Sequence, residues 1–201
     1  VTHHPLIFRD NLMAVNEDTQ TGENLLTLME NGIAAINAHT NLDLAPGGIN
    51  DILAAKLGLA DISIITPEGT DENGDPYGLL RCGSVEEQSL EAFLSHVKEA
   101  LGCQGLRYVK GSSTVSRVAV GGGSCGSMLM DAVKAGCDTF VTADVKYNAF
   151  LDAKALGLKL MDAGHYATEN VVCPALADFL KREFPEVEVC VAKDHPEVYQ
   201  E

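Results

Sequence analysis

Three short segments hold most of the side chains in this sequence that could do metal chemistry. Val1-Thr2-His3-His4-Pro5 offers two adjacent imidazoles, and His39-Thr40-Asn41-Leu42-Asp43 an imidazole and a carboxylate four residues apart. Gly164-His165-Tyr166-Ala167-Thr168-Glu169 repeats that pair at the same spacing. Imidazole and carboxylate donors suit Zn, Mn, Fe or Co, and this set exceeds what one tetrahedral ion needs, so two divalent ions are the expectation. Pro5 biases His4 toward an extended conformation. Neighbours in an extended chain point to opposite sides, so His3 and His4 are expected to serve different ions. Residues i and i+4 share a face over one helical turn, which brings His39 toward Asp43 and His165 toward Glu169. Each pair also has an ordinary reading, as a self-bonded polar loop or as an acidic residue favoured at a helix start. A zincin H-E-x-x-H is excluded, because no second histidine follows at the required spacing.

A glycine run adds a second kind of feature. Gly121, Gly123 and Gly126 match G-x-G-x-x-G between an expected strand and an expected helix. One such match is weak evidence for a dinucleotide, and the run reads better as a tight turn whose N–H groups face an anion. Gly121, Gly122 and Gly123, with Asp144 and Lys146 in the polar stretch Thr142–Asn148, are the candidates for substrate contact.

Alternating helices and strands must position these residues, and the pattern predicts an α/β (interleaved α+β) fold. Helical spacing covers Glu23–Asn31 and residues 48–58, with a short strand Ile33–Ile36 between them. The Gly-, Pro- and Asp-rich stretch Thr66–Tyr77 is an exposed loop or hairpin end, followed by a strand Gly78–Val85. Ser84-Val85-Glu86-Glu87 fits a capping box for a helix carrying Leu90, Phe93, Leu94, Val97 and Leu101 on one face. From Arg117 the spacing predicts strands at 117–120, 138–142 and 158–161, helices at 128–135, 146–156 and 167–183, and a last strand Val187–Val191. Ligand-binding loops collect at strand ends in such sheets.

Composition narrows the function classes. The net charge of −15 disfavours a nucleic-acid partner, which needs Lys and Arg for its phosphates. No apolar run approaches the roughly 18 residues of a membrane span, and no targeting segment is recognisable. The six cysteines, Cys82, Cys103, Cys125, Cys137, Cys173 and Cys190, include no C-x-x-C pair and read as reduced buried thiols of a cytosolic or organellar protein, with cytoplasmic the expected location.

In this order, VTHHPLIF, NAHTNLD, VGGGSCGSM, VTADVKYN and DAGHYATE resemble the successive motifs of the Nif-three-like proteins, the GTP cyclohydrolase 1 type 2 homologues. The resemblance spans residues 1 to 188. It implies one Nif-three-like unit over 1–201 that lacks an N-terminal segment and an inserted domain. The implied fold is two similar, interlocked α/β lobes with a dinuclear metal site in the cleft between them. By motif position the metal ligands are His3, His4, Asp43, His165 and Glu169, with His39 among them or directly beside them. A metal-bound water and Glu169 are the catalytic groups, and Asp144 and Lys146 lie at the rim. The implied activity is a metal-dependent hydrolase acting on GTP or another nucleotide. The alternative is a non-catalytic metal-binding or adaptor protein. The implied assembly is a homohexameric ring.

Overall fold

The computed structural model describes residues 1–8, 12, 14–111 and 114–193. The chain divides into two compact units, Val1–Asp43 and Leu44–Glu201. In the first unit, helix α1 (Gln20–Glu30) starts where the Thr19 hydroxyl accepts from the Gly22 N–H at 3.1 Å. A short helix α2 (Thr40–Leu44) follows His39. The strand expected at Ile33–Ile36 does not form. Among the described residues a single parallel bridge, Thr2 to Asn37, lies just after this segment, and one bridge residue cannot propagate a ladder. Both Ile33 and Ile36 are exposed.

The second unit is built on a six-stranded mixed sheet. Its strands are β1 (Ala60–Ile65), β4 (Leu80–Ser89), β5 (Arg107–Tyr108), β6 (Thr114–Val120), β7 (Thr139–Thr142) and β8 (Lys159–Asp162), in the order β1-β4-β6-β7-β8-β5. Strands β6, β7 and β8 run parallel, while β1, β4 and β5 attach antiparallel. The period-2 alternation of strand side chains sorts the core onto two faces. Val118, Val141 and Met161 pack on one face with α3 (Ile49–Lys56) and α4 (Leu90–Leu101). Ala119, Phe140 and Leu160 pack on the other with α5 (Leu129–Lys134) and α6 (Tyr147–Leu156). The Gly- and Asp-rich stretch closes as the small hairpin of β2 (Gly69–Thr70) and β3 (Pro76–Tyr77).

Three elements depart from the sequence pattern. The capping box at Ser84 is not used: Ser84 lies in the ladder opposite Arg117, β4 continues through a bulge, and Ser89 caps α4 by accepting from Ala92 N–H at 3.1 Å. The helix expected over 167–183 is two, α7 (His165–Glu169) and α8 (Val172–Glu183), so helix begins at the histidine itself. Val187–Val191 is not a strand, and both valines are exposed with no sheet edge against them. Among the described residues, no helix is long and apolar enough to cross a membrane.

Candidate metal centre

In the first unit the chain is pinned by Thr2, whose N–H donates to Ile36 O and whose carbonyl accepts from Ala38 N–H, both at 2.9 Å. That pairing seats His3 beside Ala38, and His3 Nδ1–H donates to the Ala38 carbonyl at 2.7 Å. A carbonyl can only accept, so the proton sits on Nδ1 and Nε2 carries the lone pair. His3 Nε2 lies 3.6 Å from Asp43 Oδ1. Ring centroids of His3 and His4 are 5.1 Å apart, those of His3 and His39 5.1 Å, and those of His4 and His39 5.4 Å. One nitrogen from each of the three falls within 4.8 Å of the others, a spacing that one ion can span.

His3 and His4 therefore do not point to opposite sides. The chain bends at residues 3 and 4, where Thr2 Oγ1 donates to the His4 carbonyl at 2.9 Å, and the bend turns consecutive rings onto one side. His39 immediately precedes α2, and its carbonyl accepts from Asp43 N–H at 3.3 Å. One turn of helix thus sets the spacing of that pair.

In the second unit the three parallel strands deliver three loops at their C-terminal ends, as such sheets do. Strand β6 leads into Gly121–Gly123, β7 into Asp144, and β8 through Gly164 into His165. The buried carboxylate of Asp162, at the end of β8, ties two of them together. Its Oδ2 accepts from Val145 N–H at 3.0 Å and from the Arg107 guanidinium, and its Oδ1 accepts from Gly164 N–H at 3.2 Å. Asp144 sits in the left-handed region at φ 50°, an uncommon setting for a non-glycine residue. That turn aims its Oδ2 at His165 Nδ1, 2.7 Å away. On the far side of the ring, His165 Nε2 meets Glu169 Oε1 at 3.0 Å. The Glu169 hydrogen bond, working against burial and aided by Asp144, pushes the His165 pKa up to about 9. The metal-free imidazole is therefore doubly protonated at neutral pH, with one proton toward each carboxylate.

Gly123 completes this cluster. A Cβ at Gly123 would stand 2.1 Å from Glu169 Oε1 and 3.2 Å from His165 Nε2, so the carboxylate occupies space that any side chain would fill.

The Duf34/NIF3 (NGG1p interacting factor 3) family model matches residues 1–197. The chain belongs to this family. A Clostridium perfringens GTP cyclohydrolase 1 type 2 homolog is 30% identical over an alignment of 203 positions that covers 100% of this chain and 76% of the relative. A Streptomyces coelicolor protein of the same name is 40% identical over 180 residues, 86% of this chain and 62% of the relative. A Bacillus cereus protein related to NIF3 superposes with a TM-score of 0.87 at 24% identity, over 98% of this chain and 81% of its own, which shows the shared fold.

The remaining candidate residues of this Duf34/NIF3 chain take up other roles. The N–H groups of the glycine run do not face an anion. Gly121 N–H donates to Val141 O at 3.0 Å, Gly122 N–H to Asn50 Oδ1 at 2.7 Å, and Gly123 N–H to Thr168 Oγ1 at 3.0 Å. All three are spent on holding the turn against β7, α3 and α7. Lys146 is exposed at the start of α6 and makes no hydrogen bond to His165, Asp144 or Glu169 among the described residues. Asp144, with its side chain half exposed, meets His165 Nδ1 and also lines the neighbouring cavity. Asp162, Thr168 and Asn50 also shape the site, and a carboxylate at a strand end three residues before His165 is a readable signal for the first.

Proposed function

We propose that this Duf34/NIF3 chain is a metal-dependent hydrolase that acts on GTP or a related nucleotide and works with two divalent ions. The observation that carries the reading is His165, held through Nδ1 by Asp144 while Nε2 meets Glu169. Metal-ligating histidines almost always donate their other N–H to a carboxylate or carbonyl, and His3 does the same to Ala38. The donors are nitrogen and oxygen with no thiolate, which suits Zn, Mn, Fe or Co. The open space at Gly123 fits the same reading, since it leaves room for a carboxylate with two usable oxygens.

Bound ions supply Lewis acidity and lower the pKa of water at the site. The chain's own residues do the rest. Asp144 fixes the orientation of His165. Glu169, which accepts a hydrogen bond from His165 Nε2 in the metal-free chain, would accept a proton given up during hydrolysis. The names of the relatives favour a guanine nucleotide as the substrate, with water opening its imidazole ring.

The test strips metal with a chelator, reloads with each candidate ion, counts bound metal, and follows GTP for a ring-opened formamidopyrimidine product. The expected result is loading and turnover in the natural chain, with both lost in His165→Ala and Asp43→Ala. Loading without turnover of any nucleotide would favour the non-catalytic metal-binding alternative.

A further inference from the structure

Beside the His165 cluster, within the second unit, lies a cavity of about 480 Å³. Its walls are the C-terminal end of α4, the loop Gly102–Leu106, Arg107 of β5, the end of β8 and the start of α7, His165 included. The volume falls in the range of small-molecule sites. We propose that this cavity receives the 6-oxopurine ring of the substrate and that Arg107 is the residue that selects it. The proposal rests on the nucleotide reading above and names the part of the nucleotide bound here.

Arg107 is held rigidly yet keeps donors to spare. Its Nη2 donates to Asp162 Oδ2 and to Val145 O, the latter at 3.4 Å, and its guanidinium carbon lies 5.6 Å from the centroid of the Phe150 ring. Its side chain is nevertheless 68% exposed. Among the described residues its Nε and Nη1 groups make no hydrogen bond, so a fixed plane of N–H donors lines the cavity without acceptors of its own. A planar ring edge rich in acceptors matches such donors, as O6 and N7 of guanine match arginine. Adenine presents an N6 amino donor where guanine presents O6, and donor would meet donor.

Charge argues against the polyphosphate as occupant. The Arg107 charge is already offset by Asp162, and Asp144 adds a second carboxylate to the wall. With a chain net charge of −15, the cavity suits the uncharged ring and leaves the phosphates outside it. Because His165 forms part of the wall, a ring seated here stands beside the residue that the hydrolysis reading requires.

Binding of guanosine, adenosine and GTP to the metal-free natural chain, measured by calorimetry and protein NMR, tests this without turnover. Guanosine is expected to bind at least about tenfold more tightly than adenosine, and GTP no more tightly than guanosine. Arg107→Lys, which keeps a cation for Asp162 but loses the planar donors, is expected to erase the preference at unchanged melting temperature and metal content. Gln104→Trp, at an exposed wall position, should weaken both nucleosides. Equal binding of the two nucleosides, a preference that survives Arg107→Lys, or GTP more than tenfold tighter than guanosine each overturns the proposal. A chain that keeps the guanosine preference but loads no metal refutes the hydrolase reading and leaves this one standing.

Discussion

Replacing Gly123 by alanine would set a methyl carbon 2.1 Å from Glu169 Oε1, where ordinary contact begins at 3.4 Å. The carboxylate must retreat by about 1.3 Å, the difference between those distances, and metal–ligand lengths tolerate only about 0.2 Å. Gly123 also sits at φ 61°, where an L side chain costs roughly 1–2 kcal/mol. Two losses are therefore expected. One is a fall in melting temperature of about 2–8 °C, from the backbone alone. The other is a fall in metal affinity of at least about 10–100-fold, the loss that even an outer partner of a ligand produces. Gly157→Ala separates them, because Gly157 has a similar φ of 72° and no atom within 4 Å of where its methyl carbon would stand. It should lose stability to a similar degree and keep its metal. Competition against a chelator, run beside thermal melts of both variants, gives the two numbers. Metal affinity unchanged in Gly123→Ala, or equally reduced in Gly157→Ala, would refute the assignment of Glu169 as a ligand.

Metal loading should release a proton from His165 below its pKa of about 9, so apparent affinity should rise roughly tenfold per pH unit up to that value and then level off; calorimetry in buffers of different ionisation heat counts the proton. In the metal-free chain the raised pKa contributes stability that is complete below 6.5 and is lost as pH rises through about 9, which melting curves across that window will show. Asp144→Ala should cost about 10–100-fold in metal affinity while Asp144→Asn, which keeps an acceptor for Nδ1–H, loses less. Phe140→Ala, at a fully buried position, should destabilise the chain by about 3–5 kcal/mol in urea titrations without altering metal content in the folded protein.

The regular half of the fold was legible because its signals are local. Apolar residues at helical spacing in 48–58 became α3, and the Gly-punctuated alternation after Arg117 became β6 to β8 with α5 and α6 between them. Strand β1 and the two-residue β5 carried no such signal, since each owes its conformation to a partner far away in sequence, Cys82 opposite Ser63 and Asp162 opposite Arg107. Ser84 misled for a related reason. Its capping pattern is real, but pairing with β6 through a bulge outweighed a cap and carried β4 on to Ser89.

The sequence by itself determined which donors are present and how they group. Spacing of four residues binds His39 to Asp43 and His165 to Glu169 through a single helical turn, and that geometry needs no distant contact. Tertiary structure decided what each donor faces. Only the bridge from Thr2 to Asn37 and the bend after it turn His3 and His4 to one side, against the alternation that an extended chain would impose. Only the parallel register of β7 on β8 sets Asp144 against His165 Nδ1, and only the approach of β6 to α7 puts Gly123 under Glu169. Hydrogen-bond direction and close contact depend on residues dozens of positions apart, and no local pattern encodes where such pairs meet.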